Sequence, residues 1–173
     1  RLLSQYQSKY HISLLSSGKS LEIIKDWKKR DLTFTSGVSI NHLSLNENDI
    51  GEFKTFLKLS PPLRKEDDRL KLIDGIKEGI IDIIVSDHKP EDEESKRLTF
   101  QKCASGASGI ETFLSLALEQ YHNGNLELKT IIKCLTENPA KIFGINGGSL
   151  EPGKPADIVI LDLEKPWVVK REN

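Results

Sequence analysis

Methionine is absent from the 173 residues, and cysteine occurs only at Cys103 and Cys134. The two thiols lie far apart and match no metal or redox spacing. A disulfide framework is therefore not indicated, and two reduced thiols in a cytoplasmic protein are expected. An excess of either charge is also missing. Lys and Arg total 25 against 26 Asp and Glu, for a formal net charge of -1. That balance gives no whole-chain field to draw in nucleic acid or an anionic membrane. No apolar run approaches the roughly 20 residues that span a bilayer, and residues 1–20 are polar and mixed, without a signal-peptide core. Aromatic residues are only 6% of the chain. Trp27 and Trp167 read as packing residues, since nothing around them forms a stacking platform for bases. No initiator residue opens the chain, Arg1-Leu2-Leu3 reads like the middle of a helix, and the C-terminus stops just after an apolar stretch. An internal segment of a longer polypeptide is expected.

What is present alternates between two periods. Tyr10–Leu15 is a short apolar run, and residues 19–30 carry Leu21, Ile24 and Trp27 at helical spacing behind Ser17 or Ser20 as N-cap. Leu32–Ile40 alternates with period two and is β-branched, so it reads as a strand. Asn46–Ile50 looks like a capped short helix or turn. After Pro61-Pro62, residues 65–78 place Leu70, Leu72, Ile73 and Ile76 on an amphipathic helix, and Ile80–Val85 reads as a buried strand. A polar loop over residues 86–109 follows, of a length usually tied to function or disorder. Helices are expected over 111–121 and 128–135, then a short one from Asn138 ending at Gly144. His122 reads as a C-terminal cation with Gly124 as the left-handed cap. A turn at Pro152–Asp157 leads into a last strand, Ile158–Leu163.

This order is the grammar of an α/β fold with parallel strands, and Leu32–Ile40 and Ile80–Val85 are expected to be parallel neighbours. Polar residues gather after each strand, at Ser13, Asn41-His42 and Asp87-His88, where a β/α barrel keeps its chemistry. The doubly wound alternative lacks a glycine-rich phosphate loop after any strand. Ser86-Asp87-His88 is the most telling cluster, because a carboxylate and an imidazole at a strand terminus bind metal or carry protons. A loop-capping Asp beside an exposed His fits the same dipeptide. Lys89–Arg97 fits either a solvated loop or a lid or partner-binding segment.

Several motifs together resemble the dihydroorotases of the amidohydrolase superfamily. They are Ser60-Pro61-Pro62-Leu63-Arg64, Glu66-Asp67-Asp68-Arg69, Asp74-Gly75 through Asp82, Val85-Ser86-Asp87-His88, Gly109-Ile110-Glu111-Thr112, Leu135 through Gly144, and Leu150-Glu151-Pro152-Gly153-Lys154-Pro155-Ala156-Asp157-Ile158-Val159. The resemblance implies the later strands, about the fifth to the eighth, of a (β/α)8 barrel over residues 1–148. Residues 149–173 would then be the return strand towards a small β-domain. It also implies zinc, the interconversion of N-carbamoyl-L-aspartate and dihydroorotate, and Asp87 as catalytic proton carrier and metal ligand.

The remaining family positions are substituted. Leu14 and Asn41 stand where the family has zinc-binding histidines, Ser60 replaces a substrate-binding Asn, and Glu91 replaces a substrate-binding His. Leucine has no lone pair, an amide oxygen is a poor zinc donor, and Glu91 repels an anionic substrate. His11 should not stand in for position 14, because an odd offset along a strand faces the other way. The zinc is accordingly expected to be lost or weak, leaving Asp87 as a residual ligand. Some dihydroorotase-like proteins without zinc ligands are non-catalytic partners of aspartate transcarbamoylase, and the chain resembles that subset; an active zinc-dependent cyclic-amide hydrolase is the alternative. Expected partners are aspartate transcarbamoylase, the upstream half of the barrel and further copies of the chain, with neither nucleic acid nor membrane. The stretch Gly106–Gly109 serves either as a main-chain substrate contact, by resemblance, or as a plain helix-entry turn.

Overall fold

Three parallel strands, β1 (Tyr10–Leu15), β2 (Phe34–Ser39) and β3 (Ile83–Val85), lie side by side in sequence order. They belong to a computed structural model that describes residues 5, 8–30, 34–166 and 168–169. Parallel neighbours need long crossovers. Here α1 (Gly18–Lys28) joins β1 to β2, and α3 (Glu66–Lys77) lies between β2 and β3. A one-turn helix, α2 (Ile40–Ser44), and the 3-10 turns Glu47–Ile50 and Thr55–Leu57 fill the second crossover. After β3 come the short α4 (Glu93–Lys96), then α5 (Phe113–His122), α6 (Leu128–Leu135) and α7 (Glu137–Phe143).

The period-two pattern of β2 divides its faces. Phe34 and Val38 point into the apolar core with Ile84 of β3, where they meet Leu21 and Ile24 of α1, Leu72, Ile73 and Ile76 of α3, Ala117 of α5, and Ile131 and Cys134 of α6. Spacings of three and four put those helical residues on one face, and each fully buried aliphatic side chain contributes about 1.5–3 kcal/mol. On the other face Gly37 lies so near β1 that a Cβ there would sit 2.8 Å from the Ser13 carbonyl oxygen. Trp27 packs partly buried against the core, as expected.

Helix ends follow local chemistry. The Ser17 hydroxyl accepts from the Ser20 amide at the start of α1. Gly144 ends α7 at φ 70°, and Gly124 turns at φ 69° just past α5. Asn46 and Asp49 form a reciprocal capping box at the 3-10 turn.

Three expectations are corrected. The second strand ends at Ser39, because Ile40 opens α2; Leu32 and Thr33 lie outside the described residues. The third strand starts at Ile83, not Ile80. The amides of Ile80 and Ile81 both donate to the Gly75 carbonyl, at 2.9 and 3.0 Å, so these two residues close the C-terminus of α3. They are nevertheless buried. Ile158–Leu163 forms no ladder among the described residues, and Ile160 is 94% exposed. Trp167 lies outside the described residues. Among the described residues no helix is long and apolar enough to cross a membrane.

Candidate functional site

The register pairs Leu15 with Val38 and Ser39 with Val85, so the carboxyl ends of the three strands open at one mouth. Leu14, Asn41 and Asp87 all follow from that arrangement. His11 does not join them: it pairs with Thr35 lower in the sheet, its Nδ1 lies 2.7 Å from the Thr35 hydroxyl, and its ring meets Phe143 edge-on at 5.9 Å. Burial lowers its pKa, against the opposing charge of Asp82.

Asn41 sits in the first turn of α2, where its amide donates to the Ser39 hydroxyl at 3.2 Å. The turn that stops the strand also buries the side chain, which is 7% exposed and has an Nδ2 without a hydrogen-bond partner. His42 is 2% exposed. Its Nε2 donates to the Pro61 carbonyl at 3.1 Å, which leaves Nδ1 as a buried, unpartnered acceptor. Burial lowers the His42 pKa most; hydrogen bonds to the Pro61 and Pro62 carbonyls and the Asp87 charge oppose it, while Arg64 adds to it.

Asp87 adopts φ 50°, in the left-handed region that a non-glycine residue enters at a cost. Burial raises its pKa, against the opposing influence of His42 and Lys89. The neighbouring His88 is exposed, as expected, but hydrogen-bonded. Its Nδ1 accepts from the amides of Gly109 at 3.1 Å and Ile110 at 3.2 Å, and His88 bridges to Ala107. The two main-chain donors leading out of the 106–109 stretch are thus directed at an imidazole. Ser60 is exposed, and Glu91 pairs with Lys89 at 3.4 Å.

The donors among the described residues do not by themselves complete a zinc site; the resemblance puts the remaining family ligands upstream of Arg1. Leu14 offers no donor atom, Asn41 offers only an amide, the Nδ1 of His88 is already occupied, and Asp87 is the one carboxylate left from the family pattern. Among the described residues no group of three or more His, Cys, Asp or Glu is placed to hold a metal. Catalytic zinc sites ordinarily use about three protein ligands. Sequence reasoning also missed Lys96, a buried lysine inside a run of exposed charges. No spacing or residue type in that run distinguishes it from its solvated neighbours.

The amidohydrolase family model matches residues 5–172. The dihydroorotase of Ehrlichia canis (strain Jake) is 42% identical over 160 residues, covering 92% of this chain and 36% of that protein. The dihydroorotase of Aquifex aeolicus (strain VF5) is 41% identical over 163 residues, covering 94% and 38%. The chain thus spans little more than a third of the length of these curated relatives. Among solved structures, the L-hydantoinase (dihydropyrimidinase) from Arthrobacter aurescens superposes with a TM-score of 0.80 at 26% identity, over 84% of this chain and 34% of that one. The dihydropyrimidinase from Brevibacillus agri NCHU1002 shares the fold, with a TM-score of 0.82 at 22% identity over 90% of this chain and 36% of that one. The parallel sheet with its flanking helices is therefore part of an amidohydrolase α/β barrel. A family match running almost from end to end, on a sheet whose strand ends meet at one polar mouth, means that this chain belongs to the amidohydrolase family.

Proposed function

We propose that the chain is part of a cytoplasmic, dihydroorotase-like cyclic amidohydrolase homologue that has lost its zinc site and acts as a structural partner of aspartate transcarbamoylase. One observation carries this reading. At the two strand ends where the resemblance calls for histidine ligands stand Leu14, with no donor atom, and Asn41, whose buried Nδ2 has no partner. The names of the relatives support the dihydroorotase side of the reading, and hydantoinases are likewise cyclic-amide hydrolases. A lone Asp87 does not hold zinc tightly. Further copies of the chain and the upstream half of the barrel are the other partners under this reading.

Metal analysis of the full-length protein by mass spectrometry, with a dihydroorotate hydrolysis assay, tests it. The expected outcome is no stoichiometric zinc and turnover at background. Hydrolysis that an Asp87→Ala variant abolishes would overturn it, whereas a structural partner keeps transcarbamoylase binding in that variant.

A second reading, an active zinc-dependent dihydroorotase or related cyclic-amide hydrolase, has Asp87 in its favour. A strained backbone and a carboxyl whose pKa is raised by burial are the marks of a functional carboxylate.

A further inference from the structure

Lys96 closes α4 inside the charged run, yet it is only 5% exposed. Its ammonium donates to three main-chain carbonyls: Thr55 at 3.2 Å, Ala104 at 3.0 Å and Gly106 at 2.5 Å. Among the described residues it forms no ion pair with a carboxylate. A buried charge is costly unless its hydrogen-bonding capacity is met, and three carbonyls meet the three donors of an ammonium. The converse also holds. Three carbonyl dipoles converging on one point repel one another unless a cation lies between them, and rings of carbonyls are how proteins coordinate bare monovalent cations.

The carbonyls come from segments far apart in sequence. Thr55 opens a 3-10 turn in the second crossover, and its hydroxyl donates back to the Lys96 carbonyl at 2.6 Å. Ala104 and Gly106 belong to the long loop after β3. A second lysine works from the other side. Lys58 donates to the carbonyls of Gln101 at 3.0 Å and Cys103 at 2.7 Å, and its own carbonyl accepts from the Gly106 amide at 2.9 Å. The same loop reaches the mouth through Ala107, whose carbonyl accepts from the Lys89 amide at 2.9 Å.

We infer that Lys96 is a tethered monovalent cation, whose ammonium fills a three-carbonyl cage and, with Lys58, positions the 96–107 segment beside His88 without a metal ion. The inference rests on the proposed loss of the zinc site at this mouth and deepens it, because it supplies an internal cation that organises the loop. The segment is then a fixed shelf, not a lid.

The test uses the full-length protein with Lys96→Ala, which empties the cage of a propylammonium equivalent. Amide hydrogen exchange across residues 89–110 is expected to accelerate about tenfold or more, while the amides of β2 and α3 keep their protection. Added propylammonium should restore the protection. Propanol, which fills the same space uncharged, and tetramethylammonium, which has no N–H, should not. Unchanged exchange in Lys96→Ala, or equal rescue by propanol, would overturn the inference. If Lys96→Ala does not fold, the wild-type protein decides. Acetylation of Lys96 by acetic anhydride should run at least about tenfold slower than that of the exposed Lys102, and equal rates count against the cage. Zinc-dependent dihydroorotate hydrolysis would sink the functional reading while leaving the cage intact, so the two failures are distinguishable.

Discussion

Lys28 reaches across the start of the sheet to Asp82, its Nζ lying 3.3 and 3.2 Å from the two carboxylate oxygens. The same carboxylate accepts from the Ser36 amide at 2.8 Å, and the Asp82 amide donates to the Ser36 carbonyl at 2.9 Å. One side chain thus ties α1 to β2 just before β3 begins.

Asp82→Ala removes the acceptor for both Lys28 and the Ser36 amide. A loss of about 1–3 kcal/mol is expected, against about 1 kcal/mol or less for Lys28→Met, which removes one partly exposed ion-pair partner. Chemical denaturation of the two variants checks the order. Equal losses would mean that the ion pair, not the backbone contact, carries the stability.

Glu66 gives a pH prediction. Its carboxylate accepts from Arg69 through both oxygens and from the Asn46 side chain, and the hydrogen bonds from Arg69 bring its pKa from 4.5 down to about 2. The folded pKa lies below the unfolded one, so this contribution is complete above pH 4.5 and is lost as pH falls towards about 2. The Glu66 side chain is 42% exposed, so solvent screening holds the gain to about 1 kcal/mol at neutral pH. Glu66→Gln should flatten the acid limb of a stability–pH curve and leave its alkaline limb alone; an unchanged acid limb would refute this.

Gly37 has no room for a methyl group. A Cβ would meet the Ser13 backbone oxygen at 2.8 Å and Ile83 Cγ1 at 3.0 Å. Backbone does not yield as a flexible side chain does, so Gly37→Ala is expected to cost about 1–3 kcal/mol by forcing β1 and β2 apart. Thermal unfolding reads this directly, and a Tm equal to wild type would show that the strands can separate freely.

Asn41→Leu separates the two functional readings by stability alone. Replacing a buried amide that has an unpartnered Nδ2 with an apolar side chain of similar size should stabilise the fold by about 1 kcal/mol. In a protein that holds a ligand through Asn41, the same change would lower stability in the presence of that ligand. Paired melts of the purified protein with and without dihydroorotate distinguish the outcomes.

The alternation of strand and helix was legible because period two and period 3.6 separate cleanly at Phe34–Ser39 and Glu66–Lys77. Ile80 and Ile81 were not. A β-branched apolar pair looks the same in a strand as in the closing turn of a helix, and only the shared Gly75 carbonyl distinguishes them. At the mouth, the strand-end pattern singled out Asp87, and the resemblance to the dihydroorotases singled out Leu14 and Asn41 as changed positions. It did not reveal that the Nδ1 of His88 is held by two main-chain amides, because those donors lie more than twenty residues away. Lys96 was hidden for a similar reason: its acceptors are backbone atoms, which leave no trace in residue identity.

The two thiols are both out of reach. Cys103 is 3% exposed, and Cys134 is 3% exposed with burial pushing its pKa up to about 11. Thiol-directed dyes will therefore pass over both cysteines of this chain in its folded form. Within this chain, a cysteine introduced at Phe53, which is 70% exposed and meets Phe100 at 5.7 Å, would take up a fluorophore where Cys103 and Cys134 do not. These 173 residues thus supply no competing label of their own to an optical reporter of what lands on that loop.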